Sequence, residues 1–130
     1  MTEISGRALV LDEGLSLWGG MDALTGELID AHHPQRGAML GGRIVVMPSG
    51  RGSSSSASVL AEAVRAGTAP IAFLLAEPDL ILAIGSAVAE ELYGVVLPIL
   101  VLSAPEIASI EEGDELRVLP GGTVEVMHRS

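Results

Sequence analysis

Ile44-Val45-Val46-Met47-Pro48-Ser49-Gly50-Arg51-Gly52-Ser53-Ser54-Ser55-Ser56 reads as an apolar run of strand length, a loop bearing proline and glycine, and a serine run that opens a helix. From Ala57 onward, Val59, Leu60, Ala63 and Val64 share one helical face, Glu62 and Arg65 point away, and Gly67 suits the C-terminal cap. A strand, a glycine loop and a helix in that order predict a parallel crossover unit. Such a junction gathers backbone N–H groups, hydroxyls and the positive end of a helix dipole at one point, which is how an anion is held.

Residues 7–11 read as a preceding strand closed by Asp12, Glu13 and Gly14. Between Leu15 and Ile29 the irregular placement of Gly19, Gly20 and Gly26 predicts turns and short strands. Proline biases the residue before it toward extended backbone, so His32-His33-Pro34 is placed in a loop. Further on, residues 71–75 and 80–84 are β-rich runs read as strands, and Ser86 is expected to cap a helix over 87–93 that Gly94 ends. Residues 98–102 form the next expected strand and 106–110 a short helical segment. Residues 115–119 and 123–127 alternate around Pro120-Gly121-Gly122 as a closing hairpin. No repeat, linker or charge block divides residues 1–130, so one α/β domain is expected, with a mixed, partly parallel sheet and short helices.

The hydrophobic fraction of 48% supplies a sizeable core, but aromatics are only 2%, so that core is built from Leu, Ile, Val and Ala with Trp18, Phe73 and Tyr93 as its expected rings. A formal net charge of −10, with seven Arg and no Lys, argues against a nucleic-acid partner, because neutralising phosphates needs a basic face. It argues equally against an anionic membrane surface. No cysteine is present, so the chain offers no thiolate to zinc or to an iron–sulfur cluster. Met1-Thr2-Glu3-Ile4-Ser5 lacks the basic-then-apolar pattern of a secretory signal, and Glu77, Pro78 and Asp79 interrupt the longest apolar run. A cytoplasmic location is expected.

The chemistry is expected at the serine loop. One serine suffices to cap a helix, yet residues 53–56 are all serine. Gly50 and Gly52 permit close backbone approach to a ligand, and Arg51 brings a planar cation suited to a carboxylate or phosphate. A flexible turn with a serine cap is the competing reading. The phosphate loop of nucleotide hydrolases needs a Lys that this chain lacks, and no glycine stands two residues either side of these serines as in the hydrolase elbow. Adjacent histidines in an extended loop point apart, so His32 and His33 do not chelate one metal, and no metal site is expected. Spacing leaves open a triad of Asp30, His32 or His33, and Ser53. Glu77 and Asp79 read as solvated turn carboxylates, and Trp18 as core.

The segment from Pro48 to Ser55, together with residues 80–89 and with Tyr93-Gly94-Val95-Val96-Leu97-Pro98, resembles the small subunit of the aconitase X family. Leu17-Trp18-Gly19-Gly20, Thr25-Gly26, His32-His33-Pro34 and Gly37 fit the same family, and the resemblance covers residues 7–102. It implies a domain like the swivelling domain of ordinary aconitases, whose Gly-Ser-Ser-Arg loop presents its first serine as an alkoxide base. That correspondence falls on Gly52 and Ser53, while Ser55 stands where the substrate-binding Arg would be, which implies a different acid. The resemblance further implies a hydro-lyase subunit, active with a large partner subunit that carries the iron–sulfur cluster. Its implied substrate is a hydroxy acid, cis-3-hydroxy-L-proline or mevalonate 5-phosphate. Ser53 is then the base, with Arg51, Gly52, Ser54 and Ser55 at the substrate. Two rival readings remain, a noncatalytic lid or assembly module that binds a carboxylate or phosphate, and a serine hydrolase.

Overall fold

The structure is a computed structural model that describes residues 3–128, so residues 1, 2, 129 and 130 of the expected domain lie outside it. Strands β1 (Ile4–Val10) and β2 (Ile44–Met47) run parallel, with Ala8 opposite Ile44 and Val10 opposite Val46. β3 (Ala72–Leu75) extends the parallel set beyond β2, and β4 (Ile99–Val101) forms its edge. On the other side of β1 lies the antiparallel β5 (Glu115–Val118), which pairs with β6 (Val124–His128) in the expected hairpin. The resulting six-stranded sheet has the order β4-β3-β2-β1-β5-β6, the mixed, partly parallel architecture read from the sequence.

The short turn α1 (Leu17–Gly20), whose backbone is non-helical at Trp18 and Gly19, and helices α2 (Ser56–Ala66) and α3 (Leu80–Tyr93) lie in the connections between the parallel strands. Because β1 to β4 succeed one another in one direction, crossovers of one hand all fall on one face of the sheet. The core agrees. Leu9, Val45, Met47, Phe73 and Leu75 pack in one cluster with Leu60 and Ala63 of α2 and Leu82 of α3. The alternate residues Ala8, Ile44, Val46, Ala72 and Leu74 face the other way, against Ile110, Leu116 and Val118. Burial on both faces is why β2 and β3 read as continuous apolar runs rather than alternating ones.

Three expectations change. Residues 80–84 are not a strand but the first turns of α3, and Ser86 lies inside that helix, where its hydroxyl donates to the Leu97 carbonyl. The cap is Asp79, whose carboxylate accepts the Leu82 N–H at 2.9 Å. Leu82, Gly85 and Ala89 form the buried face, a helical spacing that includes a glycine and is therefore invisible to a count of large apolar residues. The interior is also poorer in rings than expected: Phe73 is fully buried, but Trp18 is 60% exposed and Tyr93 faces solvent in part. Finally, α4 (Ala104–Ser109) begins two residues earlier than expected, because Ser103 and Glu106 form a reciprocal capping box around Pro105. Among the described residues no helix is long and apolar enough to cross a membrane.

Candidate functional site

The serine loop leaves the carboxyl end of β2 between the carboxyl ends of its parallel neighbours, the edge where α/β sheets receive ligands. Flanking segments hold it in place. The Ala76 N–H donates to the Pro48 carbonyl at 3.0 Å, and Leu15 bridges Gly50, with the Arg51 N–H donating to the Leu15 carbonyl at 3.2 Å. Both glycines of the loop sit against the start of α3. A side chain on Gly50 would overlap the Asp79 carboxylate, whereas a Cβ on Gly52 would only touch Ile81 Cδ1 at 3.5 Å.

The serines then turn the chain into α2. Ser55 occupies the N-cap and its hydroxyl makes no capping bond; the serine that accepts a backbone N–H at this helix start is Ser53. The Ser55 N–H donates to Ser53 Oγ at 3.2 Å, and the Ser56 N–H donates to the Ser53 carbonyl at 2.9 Å. The gathering of backbone N–H groups expected at this junction is thereby narrowed. Ser55 aims its N–H at the Ser53 hydroxyl, and Ser56 spends its own within the turn. Ser53 is half-buried and Ser54 exposed.

Arg51 is exposed, and its guanidinium meets the Glu13 carboxylate at 3.5 Å, a long, solvated pair that an incoming anion can displace. Glu13 belongs to a segment that a second loop grips. The two histidines differ in burial: His32 is exposed, and His33 is only 5% exposed. His33 Nδ1 accepts the Gln35 N–H at 3.0 Å, which leaves the ring proton on Nε2, 3.1 Å from the Glu13 carbonyl that it reaches. Both ring nitrogens are thus occupied, and no hydrogen bond joins a histidine to Ser53 among the described residues. The Asp30 carboxylate accepts the His32 N–H at 2.9 Å in a local turn, so the Asp30, histidine and Ser53 triad is not assembled. Glu77 is exposed as expected, while Asp79 is the cap of α3 and not a free turn carboxylate. Among the described residues no three His, Asp or Glu side chains gather as a metal site.

Two further groups escaped sequence reasoning. Ser56, the last serine of the run, is 3% exposed, and its hydroxyl accepts the Trp18 N–H at 3.1 Å beside Ser16 Oγ at 3.4 Å. It therefore ties α1 to the start of α2 while the Trp18 indole stays in solvent. The other is Glu13, which the sequence marks only as the close of a strand. Its partner Arg51 lies 38 residues away, a separation no local pattern reveals.

Fold and loop together define a class: an α/β domain carrying a serine-rich, anion-suited junction at the carboxyl edge of its parallel strands. The chain belongs to the aconitase X swivel domain family, whose profile matches residues 1–126. It is 49% identical over 116 residues to a Pseudomonas aeruginosa protein named cis-3-hydroxy-L-proline dehydratase, covering 89% of this chain but 19% of that protein. It is 37% identical over 126 residues to a phosphomevalonate dehydratase small subunit of Methanopyrus kandleri, covering 95% of this chain and 87% of that one. The crystal structure of aconitase X from Thermococcus kodakaraensis in its holo-form superposes with a TM-score of 0.83 at 27% identity, over 97% of this chain and 91% of that chain. This chain thus spans about a fifth of the length of the hydroxyproline dehydratase and most of the length of the archaeal small subunit.

Proposed function

We propose that this chain is the small subunit of a hydro-lyase that removes water from a small hydroxy acid, with Ser53 as the base. The observation that carries the reading is the Ser55 N–H donated to Ser53 Oγ at 3.2 Å, at the N-terminus of the 11-residue helix α2. A serine hydroxyl is a poor base until its alkoxide is stabilised, and an aimed N–H and a helix dipole both favour negative charge on that oxygen. The proton to be removed lies beside the substrate carboxylate. Arg51 holds that carboxylate in exchange for Glu13, Gly52 lets the backbone come close, and the Ser54 and Ser55 hydroxyls meet substrate oxygens.

Dehydration also needs an electrophile for the departing hydroxyl, and in this family that is an iron–sulfur cluster. With no cysteine, this chain has no thiolate to ligate one. The cluster and the rest of the substrate pocket are assigned to a large partner subunit, a reading supported by the relative named a small subunit. The residues here supply the base and the anion contacts. Of the two substrates, cis-3-hydroxy-L-proline comes first, because the 49% identical relative bears that name, with mevalonate 5-phosphate as the alternative.

The test is turnover of both acids by the chain assembled with its large partner, as wild type and as Ser53→Ala. Loss of a catalytic base lowers kcat by at least about 100-fold with KM little changed. Wild-type kcat in the variant would end the base assignment, and a raised KM with kcat kept would mark the domain as a binding lid.

A further inference from the structure

We propose that His33 is a positioning residue for Arg51, acting through the Asp12-Glu13-Gly14-Leu15 segment; the kinetic side of the proposal rests on the reading of Arg51 as the substrate-carboxylate contact. Two groups of the loop after β1's neighbouring turns grip this segment from one side. The Asp12 N–H donates to Gln35 Oε1 at 3.2 Å, and His33 Nε2–H donates to the Glu13 carbonyl at 3.1 Å. From its other side the segment holds the serine loop. The Glu13 carboxylate pairs with the Arg51 guanidinium, and the Leu15 carbonyl accepts the Arg51 N–H at 3.2 Å. Between them Gly14 lies so close to the Ser49 carbonyl that a side chain there would overlap it. The main chain of Arg51 is therefore referred to Leu15, two residues from the Glu13 carbonyl that His33 holds, and it is this main-chain link, not the solvated Glu13 pair that substrate displaces, through which His33 positions Arg51.

Histidine suits this task because its two nitrogens do different things. Nδ1 accepts from Gln35 within its own turn, which fixes the tautomer, and Nε2–H then reaches across to Glu13. Buried at 5% exposure, the ring has little water to substitute for either bond, so removing the cross-link leaves a carbonyl without its donor.

The two bonds can be separated. His33→Asn keeps an acceptor near the Nδ1 position but cannot reach Glu13, whereas His33→Gln carries an amide N–H to the Nε2 position. In 1H–15N spectra of the chain, the Arg51 and Ser53 amides are expected to shift in His33→Asn and to return toward wild type in His33→Gln. In the assembled enzyme with cis-3-hydroxy-L-proline, His33→Asn is expected to raise KM about 10-fold with kcat within about twofold, and His33→Gln to restore KM. An unmoved Arg51 amide in His33→Asn, or equal damage in both variants, would overturn the proposal as a merely structural effect. Arg51→Gln distinguishes the two readings. If it leaves KM at the wild-type value while His33→Asn still moves the Arg51 amide, the substrate role of Arg51 fails and the positioning stands. If it raises KM while His33→Asn changes neither amide nor KM, the positioning fails alone.

Discussion

Gly50 and Asp79 share one small space: Asp79 Oδ1 caps α3 through the Leu82 N–H at 2.9 Å, and Asp79 Oδ2 lies where any side chain on Gly50 would have to go. The same carboxylate therefore starts the helix and limits the serine loop to glycine at that position. Gly50→Ala is expected to destabilise the chain by about 1–3 kcal/mol as an overpacking change, and Asp79→Ala by about 1 kcal/mol through the lost cap. Because removing the carboxylate also makes room for the methyl group, the double variant should fall short of the sum by at least about 0.5 kcal/mol. Urea denaturation of the four proteins measures this, and strict additivity would refute the coupling.

A second prediction concerns Ser56. Its hydroxyl receives the Trp18 N–H within a nearly dry site, so Ser56→Ala leaves that donor without an acceptor and should cost about 1–3 kcal/mol. Trp18 is the only tryptophan, so its emission reports on α1 alone and should change in Ser56→Ala. Ser58→Ala, on the exposed side of α2, should leave both stability and emission near wild type. Equal behaviour of the two variants would show that the serine run has no internal division of labour.

Helix packing sets the third. A Cβ on Gly85 would stand 3.1 Å from both the Cα and the carbonyl oxygen of Ala57, backbone atoms that cannot swing aside. Gly85→Ala must therefore move α3 away from α2 just where the serine loop enters α2. A loss of about 1–3 kcal/mol is expected by urea titration, together with shifted amide resonances at Ser55 and Ser56. A stabilised protein would mean that the gain in helix propensity outweighs the contact.

The parallel half of the fold was legible because its signals are local: an apolar run that forms β2, a glycine loop, and Leu60 and Ala63 at helical spacing on α2, which pack with Val45 and Met47 in one core cluster. The misreading at residues 80–84 has an equally physical origin. Leu80-Ile81-Leu82-Ala83-Ile84 carries no polar punctuation of its own, and what makes it helical is the Asp79 cap outside it and the fit of Gly85 against Ala57. The site was half visible. Its serines and Arg51 stand together in the chain, but Glu13, His33 and Trp18 join them only through contacts between distant segments. The role of Ser56 was hidden for another reason: in a run of identical residues nothing in the sequence says which hydroxyl is buried.

The last prediction is a pH dependence at α4, far from the loop. The Glu106 carboxyl is held below the ordinary carboxylate range, first by the Ser103 N–H and then by the Ser103 hydroxyl, against a smaller opposing effect of burial. The Ser103 N–H donates to Glu106 Oε1 at 3.0 Å and the Glu106 N–H to Ser103 Oγ at 3.2 Å, the two halves of the capping box. A carboxyl whose folded value is depressed adds stability that is fully present above its unfolded value and is lost as pH falls through the folded one. Glu106→Gln keeps an acceptor for the Ser103 N–H but has no charge to lose. Wild type should therefore be more stable than Glu106→Gln at about pH 6, and the gap should close as pH falls below about 4. Urea midpoints of both proteins across that range give the answer. A gap that stays constant would show that the box acts through its geometry alone, and one that widened on acidification would reverse the assigned sign.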